Sequence, residues 1–127
     1  MKPARKYLLI VSLAVSIGLG LLWFVANTKP NVEVIITNNS GQPISTIDLL
    51  TEKTGRKIRL HGVEVGTEVV VKFHSDSGDT VSTVIRFSDG REIRGERFYI
   101  EPGIRVLESV TEEKIIIETH RPENLKL

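Results

Sequence analysis

The sequence predicts an all-β domain that follows a single N-terminal transmembrane helix, and three observations lead to this prediction. A stretch without any charged residue, from Tyr7 to Ala26, has the length that crosses a bilayer as a helix. Beyond it, apolar and polar residues alternate in short runs, as they do in half-buried strands. Clusters of Gly, Asn, Asp, Ser and Pro separate these runs, and such clusters favour turns.

The predicted span runs from Tyr7 to Ala26 and includes Leu13 and Gly20. At about 1.5 Å per residue, a helix of this length matches the hydrocarbon core of a bilayer. Basic residues are concentrated before it, at Lys2, Arg5 and Lys6. Because positive charge favours the cytoplasmic side, we expect a cytoplasmic N-terminus in the inner (plasma) membrane and a periplasmic or extracellular C-terminal domain.

A cleaved secretory signal is the alternative interpretation of this stretch. Such a signal needs a small residue three positions before the cleavage point. Cleavage after Ala26 would place Phe24 at that position. The sequence therefore favours an anchor that stays on the protein.

One face of the predicted span consists of small residues. Ser12, Ser16 and Gly20 recur at a spacing of four, which places them on one side of a helix. Small residues let two helices approach closely within a membrane. Self-association through the span is therefore one expected interaction, and a monomeric span with scattered small residues is the alternative.

The rest of the chain forms one domain. We divide the sequence into a stub and span (1–26), a linker (27–31), a β domain (32–120) and a C-terminal tail (121–127). Of 17 basic residues, four precede residue 31, whereas all 16 acidic residues follow it, so the exported part has a net charge of −3. Nucleic acid is therefore not an expected partner. The chain has no cysteine, which excludes disulfides, thiolate catalysis and Cys-based metal sites.

Short alternating runs follow one another along the exported part. In the first, Val32, Val34 and Ile36 share one face, and in the fourth, Val69, Val71 and Phe73 do so. The runs begin near Val32, Ile44, Arg56, Glu68, Thr80, Arg91, Ile104 and Ile115. Seven or eight short strands with turn-rich joints are typical of an immunoglobulin-like sandwich of two sheets, and a small closed barrel is the alternative.

The strongest hairpin signal joins the fifth and sixth runs. A three-residue loop, Ser88-Asp89-Gly90, with Gly90 left-handed, sets the register of the two strands. It places Ile85 opposite Ile93 and Arg86 opposite Glu92. Further on, Phe98 lies on the other face from Ile93, so the strand must change face between them. Gly95 is the predicted site of a bulge.

Two stretches resemble small bacterial envelope proteins of unknown function. They are FSDGREIRGERFYIEPG at residues 87–103 and ITNNSGQPIS at residues 36–45. The resemblance implies a membrane-anchored β-sandwich with a single span, and it implies no activity.

Three groups of residues are candidates for sites of chemistry. His61, His74 and His120 lie at the ends of predicted strands, but none has a second histidine at the close spacing that marks a metal site. Asp76-Ser77-Gly78-Asp79 offers oxygen ligands for calcium, yet the same residues favour a tight turn. His74, Ser75 and Asp76 are the members of a hydrolase triad, but neighbours on an extended chain point apart. We expect no enzyme, metal or cofactor.

Two surface features are candidates for binding a partner. Arg86, Glu92, Arg94 and Arg97 form a charged patch that could meet carboxylates or phosphates, and a solvated face of paired charges is the alternative. Ile115, Ile116 and Ile117 predict an edge strand that could pair with an extended segment of another protein. The alternative is a strand buried between the sheet and the tail.

The sequence favours a protein-interaction or scaffold module in the cell envelope, whose partners are the membrane and an envelope protein. The alternative is a module that binds cell-wall glycan or peptide. Ligands of that kind call for exposed aromatic side chains. The chain has only two tyrosines and one tryptophan, and Tyr7 and Trp23 belong to the predicted span.

Overall fold

The alternating runs form strands throughout residues 29–121, which are the residues that a computed structural model describes. They build nine strands: β1 Val32–Asn38, β2 Ile44–Thr51, β3 Lys57–Val63, β4 Glu68–Phe73, β5 Asp79–Phe87, β6 Glu92–Arg94, β7 Phe98–Ile100, β8 Arg105–Val110 and β9 Ile115–His120. Within this range no helix is long and apolar enough to cross a membrane. The predicted span, Tyr7–Ala26, lies outside the described residues, as does the tail after Arg121.

The strands form two sheets. Sheet A has the order β4-β1-β8-β9, and sheet B has the order β3-β2-β5, with β6 and β7 both paired to the far side of β5. The β1–β8 pair is parallel, and the other pairs are antiparallel. The predicted all-β architecture of two sheets is confirmed. Because no strand pairing joins the two sheets in the described part, they do not form the closed barrel that was the alternative.

The inward faces of both sheets make one apolar core. The predicted inward face of β1 is confirmed, since Val32, Val34 and Ile36 are all buried. Ile47 of β2 and Ile85 of β5 meet them from the opposite sheet and are fully buried. Burial of these aliphatic side chains is the main favourable contribution to folding.

The predicted hairpin register is confirmed. Ile85 lies opposite Ile93, and Arg86 lies opposite Glu92. Gly90 has a φ of 90°, the left-handed conformation that the loop requires of a glycine. The amide of Phe87 donates to the carbonyl of Arg91 at 2.8 Å, which closes the loop.

The predicted strand from residue 91 to residue 100 is divided in two, and the strand count is therefore nine. The pairing with β5 shifts by one residue between Arg94, opposite Val84, and Phe98, opposite Val81. Gly95 still donates its amide to the carbonyl of Thr83 at 2.9 Å, and the chain leaves the ladder after it. A Cβ on Gly95 would lie 3.2 Å from Ile115 Cδ1, so a glycine permits this close approach.

Candidate functional site

Three of the four sheet edges carry features that discourage pairing with another chain. The outer residues of β3 include Lys57, Arg59 and His61, all exposed. The β4 edge carries exposed Glu68 and Lys72. The remaining edge of sheet B is split into β6 and β7, each of three residues. Charged side chains and short interrupted strands are the usual protection of an edge. The fourth edge, β9, is an uninterrupted strand of six residues whose first half consists of Ile115, Ile116 and Ile117, with the charged residues Lys114 and Glu118 on either side.

The hydrogen bonds of β8 establish which way its backbone groups point. Toward β1, the carbonyl of Val110 accepts from Asn39 at 2.8 Å, and the carbonyl of Ile104 accepts from Glu33 at 3.2 Å. Alternate residues of a strand direct their backbone groups to opposite sides. The even-numbered residues of β8 therefore pair with β1, and the odd-numbered residues pair with β9. In agreement, the amide of Thr111 donates to the carbonyl of Lys114 at 2.9 Å.

The same alternation assigns the backbone groups of β9. Ile116 lies opposite Ser109, an odd-numbered residue of β8, so the backbone groups of Ile116 face β8. Those of Ile115, Ile117 and Thr119 consequently face away from the sheet. Among the described residues, no backbone or side-chain hydrogen bond reaches them. We call these outward backbone groups the β9 edge.

The three isoleucines of β9 are not equivalent. Ile115 is buried and Ile117 is half-buried against the core, whereas Ile116 is 45% exposed on the outer face of sheet A. The side chains of Ile115 and Ile117 thus point inward, and that of Ile116, between them, points outward. Ile115 and Ile117 fix the strand to the core, and their backbone groups stay open to a further strand.

The charged patch predicted on β5 and β6 pairs its charges internally. Arg86 donates to Glu92 at 3.1 Å, and Arg94 donates to the same carboxylate at 3.3 Å. The hydrogen bond from Arg86, supported by Arg94, outweighs the effect of burial and lowers the pKa of Glu92. Arg97 bonds instead to Glu52 at 2.8 Å. The patch is therefore a solvated face of paired charges.

The three histidines lie in different parts of the described domain. His61 is on β3 at the edge of sheet B, His74 follows β4, and His120 ends β9 in sheet A. No group of three His, Cys, Asp or Glu within residues 29–121 is arranged to hold a metal ion.

His74 fastens the linker to the domain. Its Nδ1 lies 2.9 Å from the carbonyl oxygen of Lys29, and its Nε2 lies 2.7 Å from the carboxylate of Asp76. The bond to Lys29, followed by the bond to Asp76, raises the pKa of His74 because both favour the doubly protonated ring. Neither ring nitrogen faces Ser75, whose hydroxyl donates to the carbonyl of Ser77. These residues do not form a hydrolase triad.

The acidic loop after β4 serves as a turn. The carboxylate of Asp79 accepts hydrogen bonds from the amides of Lys53 at 2.8 Å and Thr80 at 2.7 Å. Burial opposes the charged form of Asp79, but these bonds and those from Thr54 outweigh it and lower its pKa. Since Asp79 holds the turn after β2 and Asp76 holds His74, the oxygens suggested as calcium ligands have other partners.

One acidic side chain lies inside the core, and it was not among the sequence-based candidates. Glu108 of β8 is 1% exposed. Its Oε1 accepts from the Thr83 hydroxyl at 2.7 Å, whereas Oε2 has no partner in the described residues. Burial raises the pKa of Glu108 to about 7, although the bond from Thr83 opposes the rise. The sequence feature that could have indicated this burial is the position of Glu108 between Val106 and Val110, on the inward face of an alternating run.

A groove of about 740 Å³ crosses the outer face of sheet A beside the linker. Ile35 and Leu107 contribute its apolar floor, and charged residues stand at its rim. Two of the rim charges are paired, Arg105 with Glu33 at 3.4 Å and Arg121 with Glu101 at 2.8 Å. These two pairs occupy charges that a small ligand would otherwise use, and Lys72 and His120 also line the groove.

Neither a protein-family model nor a curated protein matches this chain. Among solved structures, it is similar to the NMR structure of a protein from Eubacterium rectale, with a TM-score of 0.55 and 10% sequence identity. The match covers 75% of this chain and 93% of that chain. The likeness shows the fold alone. The β9 edge, the paired charges and the buried Glu108 are therefore interpreted from this chain's own residues.

Proposed function

We propose that this protein is a membrane-anchored interaction module with an immunoglobulin-like sandwich, exposed outside the cytoplasm, that binds an extended segment of a partner along β9. The observation that carries this proposal is the β9 edge. Ile115, Ile117 and Thr119 direct their amides and carbonyls away from sheet A. A strand added there would continue the sheet beyond β9.

Backbone pairing of this kind needs no catalytic or ligand-binding constellation. Each hydrogen bond formed by an added strand contributes about 0.5–1.5 kcal/mol net. Ile116 lies at the middle of the edge and is exposed, so its side chain can contact a residue of the added strand. The backbone groups thus supply affinity, and Ile116 supplies an apolar contact.

The proposal of a membrane anchor comes from the sequence, through the uncharged stretch from Tyr7 to Ala26. The linker of residues 27–31 extends over less than about 20 Å, which would keep the domain near the membrane surface. The bond from His74 to the Lys29 carbonyl shortens the free part of that linker further. A short tether raises the effective concentration of two anchored proteins for each other, which favours an interaction module with a modest binding surface.

The exposed aromatic residues favour this function over a glycan-binding one. Of the aromatic side chains that the structure describes, Phe73, Phe87 and Phe98 are buried, and Tyr99 alone is exposed. Sugar rings are usually held by stacking on several aromatic faces. One tyrosine offers a single such face.

Ile117→Pro is expected to abolish partner binding while the domain stays folded. Proline removes the amide hydrogen of residue 117, which points outward, and edge positions tolerate proline. The measurement is a photo-crosslinker placed at Ile116 in the full chain in its native membrane. The adduct formed there should disappear in Ile117→Pro. Ile117→Ala is the matched control, because it shortens the same side chain and keeps the amide; it should retain the adduct.

Ile116→Pro is expected to behave differently, although it lies next to Ile117. The amide of Ile116 faces β8, opposite Ser109, so proline there removes a ladder hydrogen bond. The unpaired carbonyl that remains costs about 1–3 kcal/mol. Urea unfolding followed by circular dichroism should show a larger loss of stability for Ile116→Pro than for Thr119→Pro. A larger loss of stability for Thr119→Pro would mean that the even-numbered residues of β9 direct their backbone groups outward.

A reporter fused after Leu127 is expected to be active only when it requires an environment outside the cytoplasm. The reason is the excess of basic residues before the predicted span. Paired fusions to a reporter that works only outside the cytoplasm and to one that works only inside it give the measurement. Activity of the cytoplasmic reporter would contradict the proposed topology.

A further inference from the structure

The outer face of β9 has a sequence that matches itself when the strand is reversed. Along that face lie Lys114, Ile116 and Glu118, all exposed. Reversal about Ile116 exchanges the lysine with the glutamate and leaves the isoleucine in place. Two copies of the strand in antiparallel orientation would therefore meet with opposite charges at both ends and an apolar pair in the middle.

We propose that the partner of the β9 edge is a second copy of this chain. The two β9 strands pair antiparallel about a two-fold axis at Ile116, and sheet A of one copy continues into sheet A of the other. This inference rests on the proposed function, because it uses the same outward backbone groups.

The backbone directions of β9 agree with this register. When Ile116 faces Ile116 of the second copy, Ile115 faces Ile117 of the second copy, and Ile117 faces Ile115. Both residues direct their backbone groups outward, so each of these two pairs can exchange two hydrogen bonds. Ile116 then occupies a pair without hydrogen bonds, in which the side chains lie closest.

Other antiparallel registers that keep the outward groups paired are less favourable. A shift by two residues in one direction places Ile116 opposite Glu118 and Lys114 opposite His120. A shift in the other direction places Glu118 opposite Glu112, and like charges opposite each other are destabilising. Only the register centred on Ile116 gives an apolar contact together with two Lys114–Glu118 pairs.

The contact is small, and the anchor compensates for this. A single strand pair buries much less surface than the roughly 1,200 Å² at which stable interfaces begin. Two anchored copies are confined to one membrane surface, and the sequence of the span, with Ser12, Ser16 and Gly20 on one face, also favours contact between copies. We therefore expect pairing of the full chain in a membrane.

Disulfide crosslinking tests this register directly, since the chain has no cysteine of its own. Residues in a pair without hydrogen bonds have Cα atoms about 4.5 Å apart, within the range of a disulfide. In the full chain in its native membrane, mild oxidation of Ile116→Cys should give a disulfide-linked dimer. Val70→Cys is the matched control, because Val70 is equally exposed at 45% but lies on β4. It should give only the background of random collision.

Lys114→Cys and Glu118→Cys test the pairing partners. Each residue lies four positions from its own copy in the second strand, or about 13 Å, so neither variant should crosslink alone. Co-expression of the two should give a mixed dimer. In the Ile116→Cys background, Lys114→Glu should reduce the dimer yield, and the added Glu118→Lys should restore it. Crosslinking by Lys114→Cys alone or by Glu118→Cys alone would overturn the register. It would also be overturned if Lys114→Glu and Glu118→Lys left the yield of the Ile116→Cys dimer unchanged.

The outcomes separate this inference from the proposed function. If the photo-crosslinker at Ile116 gives an adduct with a different protein that Ile117→Pro abolishes and Ile117→Ala retains, and Ile116→Cys gives no homodimer, then self-pairing is wrong and the proposed function stands. If neither probe gives an adduct, both are wrong. A homodimer that Ile117→Pro abolishes and Ile117→Ala retains supports both.

Discussion

Raising the pH from 5 to 8 is expected to lower the stability of the domain by about 3 kcal/mol through Glu108 alone. In the folded chain the pKa of Glu108 is about 7, against the ordinary value of 4.5 for a glutamate side chain. Between these two values the folded chain holds a proton that the unfolded chain has released. The contribution of Glu108 to the free energy of unfolding is therefore greatest below about pH 4.5. It decreases as the pH rises toward 7 and no longer changes at higher pH.

Glu108→Gln is the variant that isolates this effect. A glutamine keeps the carbonyl oxygen that accepts from Thr83 and cannot ionise. Urea unfolding at a series of pH values should give a flatter profile for Glu108→Gln than for the parent chain, with the largest difference at pH 8. If the free energy of unfolding changes equally with pH in both chains, the pKa of Glu108 is not raised in the folded chain.

His74 also contributes in this pH range. Its pKa is raised by the Lys29 carbonyl and Asp76, so it stabilises the folded chain below its unfolded pKa and loses that contribution as the pH rises. The sign is the same as for Glu108. His74→Gln in the Glu108→Gln background should therefore flatten the pH profile further. The lowered pKa values of Asp79 and Glu92 act at lower pH, where their contributions are lost on acidification.

Local patterns were sufficient to predict the strand faces and the best hairpin. Alternation alone assigns Val32, Val34 and Ile36 to the core, and the Gly90 turn alone sets Ile85 against Ile93. Both depend on residues close together in the chain, so the physical cause is present in the local sequence.

Features that depend on distant strands could not be read in this way. The parallel pairing of β1 with β8 joins residues about 70 positions apart, and no local pattern encodes it. Glu108 was missed because charge normally indicates solvent, although it shares the inward face of β8 with Val106 and Val110, and its partner Thr83 lies on the facing sheet. The isoleucines of β9 indicated an edge, but the direction of its amides depends on the bonds of β8 to β1.

Val34→Asp and Ile85→Asp are each expected to unfold the domain. Both side chains are fully buried in the core, one from each sheet. An aspartate there either keeps an unpaired charge in an apolar environment or takes up a proton against its normal pKa. Such substitutions cost more than about 4 kcal/mol. A domain of this size has a total stability of about 5–15 kcal/mol.

Val70→Asp is the matched control for these two changes. Val70 is apolar and β-branched like the core positions, but it is 45% exposed on the outer face of β4, beside Lys72. An aspartate there stays hydrated, so the change in stability should be within about 1 kcal/mol.

Glu33→Lys is a poorer control, because it would remove the bond to Arg105 and place a third cation between Arg105 and Lys72. Circular dichroism and urea unfolding of the full chain in mild detergent give the measurement. If Val70→Asp unfolded the domain while Val34→Asp left it intact, the inward and outward faces of sheet A would be reversed, and with them the assignment of Ile116 to the outer face of β9.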